Sequence, residues 1–472
     1  MKVLLITNGY PYSVMTGVGT YARDLTEALT MAGHTVSHLC TGEHSWRQSS
    51  HLRWDPRAAG QIAYVVNSPL LSPPSQTRLN QDTALPAVEA LLTEALRGIR
   101  PDLIHLHDLI GIPAAFVPLA RRNGFPVVIT LHDFWPFCRK LFLTRPGFVP
   151  CEGPAGGLNC ARYCSTTVMG FRGVLHRLDE AMPSPDLRRF LRRSVRLTQR
   201  LRGRSQSQFI VPPRQPSHEP PDPALAQAYN TRASRMREAV LTANAVLAVS
   251  RSVKSMYLQN GYPADRIHVM PLSTLASARV QWQQRRFDRY PVRFGYLGRV
   301  TPIKGAHIIA EAARGVPAEL AQFTFYGPVE REDEEFLRAL AGNSARLYFS
   351  GPYSHHQLDT VLEQMDLLVY ASIVPETQGL VGYEAQASGL PIIGANHGAI
   401  PEYVQHEVNG LLFSPGSASA LRAQILRVVH EPELISRLSA RVMPPKSMDE
   451  HVRELTRVYE EALNHAGTAM TR

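Results

Sequence analysis

The chain has 472 residues, 44% of them hydrophobic and 19% charged, which is too long for one ordinary domain and too apolar for general disorder. Five cysteines in that length do not make a disulfide framework, and no apolar run approaches the roughly 18 residues of a membrane-spanning helix. Met1–Thr7 has strand length and is no secretory signal, so the expectation is a soluble, cytoplasmic protein of about two or three domains.

Lys2–Thr7 (KVLLIT) is a buried-strand run, followed by a loop and a helical pattern with Tyr21, Leu25, Ala28 and Leu29 on one face. Gly33 ends that helix, and His34–Cys40 resumes an extended run. Pro101–Leu109 (PDLIHLHDL) and Phe125–Thr130 (FPVVIT) are further short strands. Strands alternating with helices predict a parallel α/β sheet, whose ligands bind beyond the carboxyl ends of the strands. Gly17, His105, His107, His132 and Asp133 then share one rim. Gly17-Val18-Gly19-Thr20-Tyr21-Ala22 has the form of the dinucleotide fingerprint, but Asn8–Thr16 separate it from the strand and no acid ends the second strand. A glycine loop at a helix start can still hold a phosphate or press against a sugar; a plain tight turn is the alternative.

Cys138, Cys151, Cys160 and Cys164 follow the His132 strand in a Gly- and Pro-rich segment with little periodicity. Four thiolates suit a structural tetrahedral zinc, although the spacings of 12, 8 and 3 intervening residues are not those of a zinc ribbon. An iron–sulfur cluster fits less well, and free thiols or a redox disulfide are the other reading. The formal net charge of +10 is concentrated just beyond, where residues 171–204 hold ten arginines against three acids. Leu187, Phe190, Leu191, Val195, Thr198 and Leu201 make an apolar stripe among those arginines, the pattern of a helix that docks on an anionic membrane surface or else packs on the first domain. Nucleic acid is not an expected partner, because Phe190 is the one aromatic ring between Leu187 and Arg204. Ser205–Pro223, rich in Pro, Ser and Gln, reads as a loop.

Val292–Leu297 opens a second alternation, with strands expected at Phe323–Tyr326, Arg346–Phe349, Asp366–Tyr370, Pro391–Gly394 and Gly410–Phe413. A second doubly wound domain would turn its own rim toward the first, and a cleft between two such domains is a common ligand site. Glu376 falls in the loop after a strand, Gly379 and Leu380 open a helix, and Glu384 projects from its first turns. A helix N-terminus between two carboxylates suits a nucleotide-sugar, with amides on phosphate and carboxylates on sugar hydroxyls. Arg299 and Lys304 would neutralise the diphosphate and stabilise it as a leaving group. Ser447-x-x-Glu450 is a capping box that starts a last helix with Val452, Leu455, Tyr459 and Ala462 on one face.

The Glu376-x7-Glu384 spacing, Ala387-Ser388-Gly389-Leu390-Pro391, Gly298-Arg299-x4-Lys304-Gly305, Asn409-Gly410-Leu411-Leu412 and the Gly17-x-Gly19 loop together resemble family four of the retaining glycosyltransferases. Asp265–Pro271 (DRIHVMP) is similar to the stretch that closes that family's first domain. The resemblance implies the GT-B fold: a first, acceptor-side domain over residues 1–288 with an insert at about 138–235, a donor-binding domain over 289–445, and a helix over 446–472 that crosses back to the first. Hinges would lie near Arg286–Pro291 and Val442–Lys446.

The resemblance also implies roles. Glu376 would contact donor-sugar hydroxyls and Glu384 the nucleotide ribose, with Arg299 and Lys304 on the diphosphate. Tyr353, in Gly351-Pro352-Tyr353, would lie at the base edge, and His132 beside the donor sugar. The reaction would occur on one face of the sugar, with no cofactor or divalent metal required for catalysis, onto a polysaccharide, lipid-linked or other glycan acceptor. Gln378 and Leu272-Ser273 depart from the family pattern, which usually has an aromatic and Asn-Gly there. A degenerate sugar- or nucleotide-binding module and a same-fold sugar epimerase are the competing functions. A glycoside hydrolase would need an acid and a base carboxylate across the bond, which the roles of Glu376 and Glu384 do not offer.

Overall fold

The computed structural model describes residues 1–12, 16–43, 45, 49–55, 61–69, 76–164, 207–210, 220–275, 279–342 and 346–470. The Arg-rich stripe from Leu187 to Leu201, with its expected membrane docking, lies outside the described residues.

The first half is built on β1 (Lys2–Asn8), β2 (Thr35–Glu43), β3 (His51–Trp54), β4 (Ile62–Val66), β5 (Leu103–Leu106) and β6 (Val127–Leu131). A small hairpin follows, β7 (Thr144–Arg145) and β8 (Val149–Pro150), and then β9 (Ala245–Ala248) and β10 (His268–Val269). The main sheet runs β10-β9-β6-β5-β1-β2-β4-β3. Its pairings are parallel except β3 with β4. Helices cover both faces, so strands such as Val127–Leu131 are buried at every position and apolar at all but Thr130. Among those helices are α1 (Gly17–Met31), α2 (Pro86–Ile99), α3 (Phe116–Arg122), α4 (Leu158–Tyr163), α5 (Pro223–Leu241) and α6 (Arg251–Gln259). The helical spacing read from the sequence is the one that works: α1 buries Tyr21, Leu25, Ala28 and Leu29 against the sheet.

The second half is a six-stranded parallel sheet in the order β13-β12-β11-β14-β15-β16. Its strands are β11 (Val292–Leu297), β12 (Ala321–Tyr326), β13 (Arg346–Gly351), β14 (Leu367–Tyr370), β15 (Ile392–Ala395) and β16 (Gly410–Phe413). They are covered by α7 (Ala306–Ala313), α8 (Arg331–Ala341), α9 (Leu380–Ala387) and α10 (Ala418–His430), among others. The molecule is therefore two Rossmann-like α/β units, each with its own core.

The last helix, α11 (Met448–Met470), belongs to the first core through Met448, Val452, Leu455, Tyr459 and Ala462, although it follows the second domain in the chain. Ser447 Oγ accepts from the Glu450 N–H at 3.1 Å and caps it. No helix among the described residues is long and apolar enough to cross a membrane.

Candidate active site

The two halves meet at α9. Gly379 sits at its N-terminus with φ of 79°, and a Cβ there would come within 2.4 Å of the Tyr370 hydroxyl, so the position demands glycine for backbone and for space. Leu380, the first residue of the helix, packs against the core of the first domain. Gln378, just before it, is buried and faces Leu272 across the junction. The Leu272 N–H donates to Gln378 Oε1 at 2.7 Å, and Gln378 Nε2 donates to the Leu272 carbonyl at 3.0 Å. The two departures from the family pattern thus bind one another. A second tie is Glu402, whose carboxylate accepts the Ser252 and Arg251 N–H groups at 2.6 and 2.9 Å and so caps α6 of the first domain.

Glu376 is 7% exposed in the loop after β14. Lys304 Nζ donates to its Oε1 at 2.7 Å, and the Tyr370 hydroxyl also bonds to it. Burial alone would raise this carboxyl, but the Lys304 charge and the hydrogen bonds from Lys304, Ser372 and Tyr370 outweigh it, and Glu376 is held below the usual carboxylate range. Its backbone is held too, since the Ala399 N–H donates to the Glu376 carbonyl at 2.9 Å. Lys304 reaches it from the loop before α7, where Gly305 has φ of 74° and a Cβ would strike the Ala371 carbonyl oxygen at 1.8 Å.

Arg299 is exposed, and among the described residues its guanidinium has no carboxylate partner. Its carbonyl accepts the Tyr296 hydroxyl at 2.7 Å, and that buried tyrosine lies within electrostatic reach of both Glu376 and Tyr353. Tyr353 in turn senses Glu384. Glu384 is buried on α9, and burial first, then the charge of Asp24 on α1, pushes its carboxyl up to about 7. Asp24 is itself fixed by Arg23 at 2.8 Å and by the Leu275 N–H at 2.9 Å. The second domain thus carries an ion pair, an exposed arginine, a half-buried tyrosine and a second carboxyl around one helix start, with α1 opposite.

On the first-domain rim, His132 Nε2 and His107 Nδ1 are 3.1 Å apart, and burial pulls His132 down to about 3. Both imidazoles are therefore neutral at pH 7. Tyr21 of α1 lies beside His132, with ring centroids 5.4 Å apart, and its hydroxyl is 2.7 Å from His451 Nε2 on α11. His105 points the same way along β5 but is satisfied structurally, with Nδ1 2.7 Å from the Tyr459 hydroxyl and Nε2 2.7 Å from Thr130 Oγ1. An indentation is lined by His107, Asp108, His132, Asp133, Trp135 and Tyr257. Asp108 and Asp133 are both raised, first by burial and then, for Asp108, by its neighbour's charge, against single backbone hydrogen bonds from Asn8 and Trp135. Sequence reasoning placed Asp133 on the rim and missed Asp108 and Asp24; the signal for Asp108 was its position at the end of the Pro101–Leu109 strand.

Gly17 and Gly19 form the first turn of α1, neither with positive φ. Thr16 caps it, its Oγ1 accepting the Gly19 N–H at 3.0 Å. Among the described residues nothing lies within 4 Å of a Cβ at Gly17. No disulfide joins Cys138, Cys151, Cys160 and Cys164, and among the described residues no three His, Cys, Asp or Glu side chains are placed to hold a metal ion as they stand.

Residues 281–442 match the profile of Glycosyl transferases group 1, and residues 15–200 that of Glycosyltransferase Family 4. The two halves are glycosyltransferase domains. The amylovoran biosynthesis glycosyltransferase AmsK of Erwinia amylovora is 25% identical over 230 residues, covering 46% of this chain and 56% of that protein. D-inositol 3-phosphate glycosyltransferase of Mycobacterium tuberculosis is 35% identical over 124 residues, 25% of each chain. The chain thus spans just over half the length of the first of these relatives and a quarter of the second. Sucrose-phosphate synthase of Thermosynechococcus elongatus superposes with a TM-score of 0.59 at 18% identity, covering 100% of this chain and 98% of that one. Anabaena HepE in complex with UDP superposes at 0.53 and 16%, covering 100% of both. These likenesses establish the fold, and the glycosyltransferase domains have the GT-B architecture.

Proposed function

We propose that this chain is a retaining glycosyltransferase that moves a sugar, in the first instance a hexose, from a nucleotide-sugar to a glycan, polysaccharide or lipid-linked acceptor. The observation that carries the reading is the Lys304–Glu376 pair at the foot of α9, a half-exposed ammonium on a buried carboxylate, with Glu384 and Tyr353 beyond it. A charged carboxylate kept deprotonated beside a helix start is a hydrogen-bond acceptor for sugar hydroxyls. Lys304, exposed Arg299 and the α9 amides of Leu380 and Val381 supply positive charge for a diphosphate. Glu384 takes the ribose hydroxyls and Tyr353 borders the base.

In the transfer, the bond between the anomeric carbon and the diphosphate oxygen breaks, and a bond from that carbon to an acceptor oxygen forms on the same face. The acceptor proton passes to a departing phosphate oxygen, so no protein base is needed. His132 is neutral and beside the donor sugar in this reading, which suits hydrogen bonding to an uncharged hydroxyl. The glycine start of α1, Gly17 and Gly19, lets substrate approach the backbone.

Because Anabaena HepE was crystallised with UDP and with UDP-glucose, a uridine diphosphate sugar is the first donor to test. A thermal-shift panel of UDP, GDP, ADP and their sugar conjugates, with and without EDTA, checks the reading. Selective stabilisation by one nucleotide, unchanged by EDTA, is expected. No shift with any nucleotide would refute it and favour a degenerate module.

A further inference from the structure

We propose that Cys138, Cys151, Cys160 and Cys164 are the four ligands of one structural zinc ion that fixes the first-domain rim. This goes beyond the transfer reaction and does not depend on it.

The placement begins with the fold of residues 138–164. Cys138 precedes the β7–β8 hairpin and Cys151 follows it immediately, so the hairpin returns one cysteine to the other. Cys160 lies on α4 and Cys164 caps its end four residues on, which puts both on one helix face. The six pairs among the four thiols are all within electrostatic reach of each other. Among the described residues no three of them stand at ligating positions, and the Cys151 thiol is turned toward the Gly153 carbonyl at 3.5 Å. Binding therefore draws the sulfurs inward, in the case of Cys151 by rotation about its Cα–Cβ bond.

Two features of the surroundings fit a thiolate set. The Lys140 and Leu143 N–H groups donate to the Cys138 sulfur. They do so from a turn in which Leu141 and Leu143 hold φ of 67° and 52°, a conformation leucine rarely adopts. Amides aimed at sulfur are the outer-shell partners that orient and tune metal thiolates. On α5, the buried Tyr229 hydroxyl has no hydrogen-bond partner among the described residues and lies within reach of Cys160 and Cys164. A phenol buried without an acceptor is costly, and a metal thiolate supplies one.

The segment also needs a fastener. Phe142, Val149 and Leu158 are exposed, and Leu143 and Ala161 are its only buried apolar side chains. It does have one tight contact: at Gly157 a Cβ would meet the Ala226 carbonyl oxygen at 2.0 Å. A closed tetrahedral site would hold such a loop where a core cannot. The site adjoins Phe134–Phe137, whose Trp135 N–H bonds Asp133 at 2.7 Å, and so braces the rim that carries His132.

The test uses the full chain purified without chelator. Elemental analysis should find about one zinc ion per chain, released when a mercurial titrates the thiols. Cobalt(II) exchanged into the wild-type protein should give thiolate-to-cobalt charge transfer and the ligand-field bands of a tetrahedral site. Cys138→Ser combined with Cys160→Ser should cut bound metal by about tenfold or more. Zinc at buffer background together with no tetrahedral cobalt spectrum in the wild type overturns the proposal, and that measurement stands even where the variant fails to fold. A disulfide between any two of the four by non-reducing peptide mapping, iron–sulfur absorption in its place, or undiminished zinc in the double variant overturns it equally.

Discussion

Replacing Gln378 by alanine removes the contact that joins the start of α9 to the end of the first domain. Gln378 is 2% exposed and Leu272 5%, so the two hydrogen bonds between them are dry. Each is worth about 1 kcal/mol net, and each backbone group left buried without a partner costs about 1–3 kcal/mol. With the interface closed, the loss is roughly 2–6 kcal/mol; if the domains part and water reaches Leu272, it falls toward the lower figure. For domains of this size that corresponds to a fall of roughly 4–24 °C in Tm. Differential scanning fluorimetry reads the stability, and small-angle scattering reads whether the radius of gyration grows as the cleft opens. Gln378→Glu is the informative companion, because a carboxylate can accept the Leu272 N–H but has no N–H for the Leu272 carbonyl. At neutral pH its charge, buried against the Leu272 carbonyl oxygen, should leave it no more stable than alanine. A Tm for Gln378→Ala within about 1 °C of wild type, with unchanged scattering, would show that the two departures do not act as an interdomain clamp.

Glu376→Gln should lower transfer by about 100-fold or more while nucleotide affinity changes little, since its partners in the proposed reaction are sugar hydroxyls; nucleotide titration calorimetry beside a transfer assay separates the two. Glu384 bears on pH. Its folded value, about 7, lies above the ordinary 4.5, so between those values the unfolded chain releases the proton first and stability falls as pH rises, by up to about 3 kcal/mol from this one group. Asp108 and Asp133 act in the same sense, while His132 and His451, lowered by burial, act oppositely; the wild-type minus Glu384→Gln difference in unfolding free energy from pH 4 to 8 isolates the glutamate, and a flat difference would refute it. Gly379→Ala forces a Cβ onto the Tyr370 hydroxyl and leaves alanine in a left-handed conformation, which alone costs about 1–2 kcal/mol. The variant should lose nucleotide stabilisation in the thermal-shift assay.

Periodicity determined much of this protein by itself. Apolar runs of strand length alternating with helical patterns specify parallel α/β units, because a strand covered on both faces must be largely apolar, as Val127–Leu131 and Leu367–Tyr370 are. Chemistry at fixed spacing was legible as well: Lys304, Glu376, Gly379 and Glu384 are each confined to one loop or one helix start, so local sequence sets their placement. Their pairings were not. Lys304 and Glu376 are 72 residues apart and form one ion pair, Gln378 and Leu272 are 106 apart and clamp two domains, and Glu384 meets Asp24 from the far end of the chain. His105 and His107 alternate identically along β5, yet one is saturated by Tyr459 and Thr130 while the other faces His132. Spacing along a strand fixes which face a side chain takes; what stands opposite it is decided by α11 folding back and by two sheets closing on each other, and those depend on packing between residues hundreds of positions apart.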